Sequence, residues 1–470
     1  MKNQLLYTVR GLRKNSIFHS ISLVGLSIAF GTCLLILFYV NFEYSHDRFH
    51  VDKQNIFRVV HQAENPEGEM ERNVLHNYRL AERIKKDVPQ IRYASGFRFG
   101  WGAIIKYKEH TFTDRLGIVE PDFLRIFSFP LLVGSVESVF QSPAAVVITK
   151  KFADKILDEK YPDYEDLIGR PIEFLNKPGT FFTISGVLED IPKTSSLKFE
   201  LLIGFDHQSG FGQSNNDFGN SSMYVELFPE ADFHAAEQTV TTVLKSFYEK
   251  TIAQFQTLGY FSKSEDSYKP LLQNIIEIYF DGESSEYEAS SSRNYSLVLS
   301  IIGIIILITA CINYLLLSYG LTIKKVHQLG ILKVFGATRW QIMKQFWVEA
   351  LALTSFSILL GLFLSYLFFP LFREIAQRDF EILLINKWIV VVFMISACFL
   401  VSALVAFPLV LSFQNVNPLS LLKKQIANKK KAWISNSFVL FQYTGVCTYH
   451  ILLISLYSIG SCMTPCSINL

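Results

Sequence analysis

The sequence has 470 residues, half of them apolar, with a mean hydropathy of +0.26 and a formal net charge of only +2. That balance excludes an ordinary water-soluble composition and points to a membrane protein. The six cysteines all fall outside residues 43–294, which excludes a disulfide framework for that long stretch.

Residues 1–16 form a basic N-terminal segment carrying Lys2, Arg10, Arg13 and Lys14 with no acid. An apolar run over 17–42 follows, longer than the ~20 residues that span a hydrocarbon core of about 30 Å. It is too long for a signal-peptide core of about 7–15 residues, so it reads as an uncleaved anchor. Residues 43–294 hold 38 acidic and 27 basic residues, a net of −11, and read as a folded extracytoplasmic domain. Their signals mix helix and strand. "AAVVITKKFADKIL" begins as a strand, with Thr149 placed to cap a following helix. "GTFFTISGVLEDIP" alternates like a strand and stops at Pro192, whereas "HQSGFGQSNNDFGNSS" reads as loop. The expectation is an α+β domain.

Three further spans are expected at 295–319, 342–372 and 388–413, separated by a loop at 320–341 and an outer loop at 373–387. A basic linker, 414–437, carries Lys423, Lys424, Lys429, Lys430 and Lys431. A fifth apolar stretch, 438–460, is interrupted by Tyr443, Thr448 and His450, and a tail covers 461–470. Retention of Lys and Arg on the cytoplasmic side places the N-terminus, the 320–341 loop and the 414–437 linker inside, with residues 43–294 outside. The lysine cluster is explained by this topology without invoking nucleic acid.

Candidate chemistry is sparse. No G-x-x-x-x-G-K-[ST] occurs, so these residues build no P-loop. His46 and His50 in "HDRFH" have a spacing that could share a metal, but no third ligand is evident; a polar turn beside the membrane explains them more simply. Glu349 lies inside the third span, where a carboxylate must snorkel or find a helix partner. In the 320–341 loop, Leu329, Leu332 and Phe335, with Ile331 alongside, recur at helical spacing; Gly336 is a natural stop, and Thr338 with Gln341 fits a capping box for the third span. A short apolar-faced helix there would either lie on lipid or dock in a partner's groove.

"LGILKVFGATRWQIMKQFWVEALALT" resembles the signature of the FtsX-like permeases, approximately E-[IV]-G-I-R-K-x-x-G-A-[ST]. The resemblance extends through "RGLRKNSIFHSISLVGLSIAFGTCLLI" and "YSHDRFH". In the outer domain, "VEPDFLRIFSFPLLVGS", "AAVVITKKFADKIL" and "FFTISGVLEDIPKTSSLKFELL" are similar to a MacB-type periplasmic core domain. The resemblance implies the permease subunit of an ABC transporter in the bacterial cytoplasmic membrane. Such a subunit is not itself an enzyme: a cytoplasmic ABC ATPase partner holds ATP and Mg, and this chain needs no cofactor or metal. It implies homo- or heterodimers of permeases, a periplasmic adaptor, contact with lipid but not nucleic acid, and export, for example of antimicrobial peptides or lipoproteins, or mechanical work outside the membrane. The ATPase-coupling helix would contain Gln328, Leu329, Gly330, Ile331, Leu332, Lys333, Phe335 and Gly336. Gln328 stands where the pattern has Glu, and Leu332 where it has Arg. "KKKAWISNSFVLFQY" echoes "RKNSIFHSISLV" as if a second copy began, so a truncated form of a two-repeat, eight-span permease is also expected. A regulatory membrane protein controlling a cell-wall hydrolase or sensing peptides, and a non-functional fragment, are the alternatives.

Overall fold

The computed structural model describes residues 16–158, 162–176, 179–205, 219, 221–264, 267–281, 291–324, 331, 335–380 and 387–414. The chain divides into two units, Ser45–Ser292 and the flanking segments up to Tyr44 and from Arg293. The expected fifth span, basic linker and tail lie outside the described residues.

The first unit begins with helix α1 (Ser16–Tyr44). Within Ser45–Ser292, strands β1 (Ile56–Glu64), β2 (Met70–Asn73) and β3 (Leu75–His76) precede α2 (Leu80–Asp87). The long hairpin β4 (Ile91–Tyr107) and β5 (His110–Val119) leads to α3 (Phe123–Ile126), β6 (Leu131–Val133) and β7 (Ala145–Thr149). Next come α4 (Lys150–Ile156), β8 (Pro171–Phe174), β9 (Thr180–Leu188), β10 (Leu201–Gly204) and β11 (Ser221–Leu227). Helices α5 (Phe233–Phe247) and α6 (Glu249–Leu258), strand β12 (Tyr268–Asn274) and α7 (Ile275–Ile278) complete this unit. The first unit then resumes with α8 (Arg293–Lys324), α9 (Arg339–Ala376) and α10 (Lys387–Gln414).

The strands form one mixed sheet with the path β12-β1-β11-β4-β5-β10-β7-β9-β6. β10 pairs parallel with β5, and β7 parallel with β9, while the other pairings along this path are antiparallel. β7, "AVVIT", is buried at every position, as a strand covered on both faces requires. At its end Thr149 turns the chain into α4, its hydroxyl oxygen accepting from the Phe152 N–H. The expected loop ending in Ser221–Ser222 differs in part: residues 207–218 and 220 lie outside the described residues, but those two serines open β11. Their backbones pair with β3 and β4, so long-range ladder bonds override local turn propensity.

Three apolar clusters sit within Ser45–Ser292. One packs α2 and α5 on β1, β4 and β11 around Ile84, Val225 and Leu244. A second packs α4 on β7 and β9 around Phe152, Ile148 and Ile184. The third is rich in aromatics, with Phe123, Phe127, Phe129 and Tyr224 buried together. Burying this much apolar surface gives the unit cores of its own, as a domain of this length allows.

In the other unit, α1, α8, α9 and α10 are each long and apolar enough to cross a membrane. A helix satisfies its own backbone, the condition for lying in hydrocarbon. α1 is the central one: 61% of its apolar window is buried, against 28–33% for the other three. The stretch expected as an outer loop, 373–387, is instead helical through Ala376. The helix ends at Gln377, which takes a left-handed conformation (φ 51°). The next three residues fold back so that Phe380 is fully buried among Phe42, Tyr39, Phe369 and Phe372.

Candidate functional site

The segment entering α9 is built by local chemistry. Phe335 N–H donates to Ile331 O at 3.0 Å, closing one helical turn. Gly336 follows at φ +80° with open space where a Cβ would stand, so the backbone conformation alone calls for glycine there. Thr338 is the N-cap of α9: its hydroxyl oxygen accepts from Gln341 N–H at 3.3 Å, and Gln341 Oε1 accepts from Thr338 N–H at 2.9 Å. Ile331, Phe335 and Trp340 are exposed, the last two at 85% and 74%. Gln328, Leu329, Gly330, Leu332 and Lys333 lie outside the described residues.

Glu349 projects from the third turn of α9 towards α1, with Oε1 3.9 Å from His19 Nε2. The two side chains border a small cavity of about 20 Å³ with Tyr314, Ser318, Thr322 and Phe346, room for about one water molecule. A carboxylate in a span is costly, and this polar niche offsets part of that cost. Of this group, sequence reasoning singled out only Glu349. His19 carries no local signal, because its partner is on another helix.

At the opposite ends of α1 and α9, Glu43 is fully buried and lies 3.8 Å from Arg378. Midway, Gly31 and Gly361 bring the two backbones together: a Cβ on Gly361 would lie 2.9 Å from Ser27 O and 3.0 Å from Gly31 N. This is the close approach that small residues permit between membrane helices.

His46 and His50 do not come together on a metal. The His46 ring stacks on Tyr279 at 3.4 Å, and His50 Nδ1 accepts from Ser128 N–H at 3.1 Å. Among the described residues no group of His, Cys, Asp and Glu is arranged to hold a metal ion. "HDRFH" forms a turn, and a largely buried one. Its His46, Asp47 and His50 are buried, and Asp47, at φ 54°, accepts from Ser196 N–H at 2.9 Å and from the Ser196 hydroxyl. Burial, aided by Lys53, pushes the His50 imidazole down to about 3. These residues latch the start of the second unit onto the 194–196 and 128 backbones, a role that no spacing rule reveals.

Residues 20–243 match the MacB-like periplasmic core domain family, and residues 299–418 match the FtsX-like permease C-terminal family. Among curated proteins, the macrolide export ATP-binding/permease protein MacB of Neisseria meningitidis is 22% identical over 56% of this chain and 37% of its own length. The ABC transporter permease YknZ of Bacillus subtilis is 25% identical over 47% of each chain. The chain thus spans less than half the length of these curated relatives. Among solved structures, the periplasmic region of MacB from Actinobacillus actinomycetemcomitans is 14% identical, with a TM-score of 0.33, over 50% of this chain and 95% of that one. The first match falls on α1 and the α+β unit, the second on the three later membrane helices. The chain is therefore a membrane protein with an extracytoplasmic domain, in which a MacB-like periplasmic core domain is joined to an FtsX-like permease domain.

Proposed function

We propose that this chain is a permease subunit that receives ATP-driven motion from a separate cytoplasmic ABC ATPase and transmits it to the extracytoplasmic unit, for export or for mechanical work outside the membrane. In this reading it lies in the bacterial cytoplasmic membrane with its N-terminus inside, pairs with a second permease and meets a periplasmic adaptor. ATP and Mg belong to the ATPase, and this chain takes no cofactor. The name of its MacB relative, which joins ATP binding and permease, supports the pairing of the two activities.

The observation that carries the proposal is the junction at Gly336–Thr338. The exposed Phe335 is joined to a membrane-spanning helix by a short link fixed by a capping box. A short, capped link loses little displacement on its way into α9. In this reading the docking element is the segment from Gln328 to Gly336, with the apolar residues Leu329, Leu332 and Phe335 making the contact. Phe335→Glu in the full chain tests this: a carboxylate forced into an apolar groove costs several kcal/mol, enough to weaken binding about a hundredfold. Loss of ATPase co-purification with normal membrane insertion is expected. Retained ATPase binding would remove this element from the mechanism.

A further inference from the structure

We propose that α1 and α9 move as one rigid body, so that a push on the segment ahead of Arg339 is delivered at Tyr44, where the chain passes into the extracytoplasmic unit. The source of the push rests on the transmitter reading above; the rigidity of the pair does not.

Three levels of contact run along the two helices. Near the start of each, His19 faces Glu349 at 3.9 Å. Midway, Gly361 has no room for a Cβ, which would stand 2.9 Å from both Phe30 Cβ and Ser27 O; a Cβ on Gly31 would stand 3.1 Å from Gly361 O. At the far end, in the fold-back just past α9, Arg378 lies 3.8 Å from buried Glu43, and Phe380 stacks on Phe42 at 5.3 Å. Residue numbers rise together through the three levels, so the helices run parallel in a single register.

A slide by one turn, about 5.4 Å, would carry Ser357 or Ser365 into the place of Gly361. The atoms that meet a Cβ there are mostly backbone, which cannot turn aside. The glycine pair therefore acts as a notch against sliding, and the polar contacts at both ends resist tilting. α8 meets α1 differently. At Gly303 the nearest atom to an added Cβ is Ile36 Cδ1 at 3.2 Å, the far end of a flexible side chain, and Cys33 Sγ donates to Gly303 O. At this level α8 meets α1 through side-chain atoms that can give, whereas α9 meets it through backbone.

Two measurements on the full chain test this. In detergent, Gly361→Leu should lower the melting temperature at least about twice as much as Gly303→Leu, because only the former meets unyielding backbone. Gly361→Ala against Gly303→Ala gives the same ranking if a leucine variant does not assemble. Equal losses at the two sites would overturn the notch. In the second, the chain with its cysteines replaced is reconstituted in lipid nanodiscs with its ATPase. Spin-label pairs are placed at Val24 and Phe356, on α1 and α9, and at Ile28 and Ile308, on α1 and α8. On addition of a non-hydrolysable ATP analogue, the first distance should hold within about 2 Å while the second changes. A first-pair change approaching the ~5 Å of a one-turn shift overturns the rigid pair. If neither distance changes, the transmitter reading fails, and the glycine comparison decides the rigid pair by itself.

Discussion

Arg58 and Asp281 form an ion pair that water does not reach: Arg58 Nη2 lies 2.9 Å from Asp281 Oδ2, with side-chain exposures of 0% and 7%. Gln273 joins them, its Oε1 accepting from Arg58 Nη2 at 2.8 Å and its Nε2 donating to Asp281 Oδ2 at 3.0 Å. The network ties β1 to β12 and to the chain beyond α7. Asp281→Ala would leave the guanidinium buried without its carboxylate, and a loss of about 3–5 kcal/mol is expected. Urea unfolding of a soluble fragment, residues 45–292, measures it; a loss below about 1 kcal/mol would show that Gln273 alone suffices.

The same fragment should be most stable between about pH 6 and 7. Burial, with Lys53 adding to it, lowers His50 to about 3. Burial, opposed by the Val59 carbonyl and aided by Arg58, lowers His76 to about 4, and burial beside His76 puts His61 well below its usual 6.5. As pH falls below about 6.5, the unfolded chain takes up protons that these folded imidazoles refuse, so stability is lost towards acid. Burial pushes Glu120 up to about 8 and Glu226 up to about 7. These folded carboxyls keep protons that the unfolded chain releases above about 4.5, so their contribution is lost as pH rises towards 8. Below about 6.5 the three imidazoles outweigh the two carboxyls; above it only the carboxyls act. A urea midpoint that climbs steadily to pH 9 would contradict this assignment, and His76→Gln should flatten the acid limb.

Gly219→Ala should cost more than Gly259→Ala although the two backbones are alike. Both have a left-handed φ, +78° and +79°, but an added Cβ meets nothing at Gly259 and falls 2.3 Å from His76 O at Gly219. Strain alone is expected to cost about 1–3 kcal/mol, and the clash adds to it only at Gly219. Equal melting temperatures for the two variants would show that the chain near Gly219 moves aside.

Thr338→Ala removes one half of the capping box and should destabilise the start of α9 by about 1 kcal/mol. On the transmitter reading it leaves ATPase co-purification intact and lowers ATPase-coupled activity, separating docking from transmission. Loss of co-purification in this variant would instead make the cap part of the docking surface.

The parts of this fold legible in the sequence are those whose causes lie close together along the chain. Four apolar runs announce four membrane helices, and Thr149 announces the start of α4 because its partner, Phe152 N–H, is three residues away. The alternation in "TFFTISGVL" announces β9 for the same reason. Relationships closed by the whole chain leave no such mark. Nothing near Arg58 points to Asp281, and nothing near Gly31 distinguishes it from any other glycine in an apolar helix. The "HDRFH" turn is legible as a turn, but its histidines' partners, Tyr279 and Ser128, are far away in sequence and leave no local mark. At the membrane-end cavity, Glu349 is conspicuous as an acid within a span, but His19 becomes its neighbour only once α1 and α9 pack.

The central place of α1 has a consequence for biosynthesis. This helix leaves the ribosome before the neighbours that cover it, α8 and α9, which are made only after the whole α+β unit. During that interval α1 waits in lipid with its glycine notch and His19 facing hydrocarbon, while Ser45–Ser292 is free to condense around its own cores. A polypeptide arrested before α8 emerges should therefore hold a folded α+β unit on an unclasped anchor, a form exposed to membrane quality-control proteases until the later spans arrive.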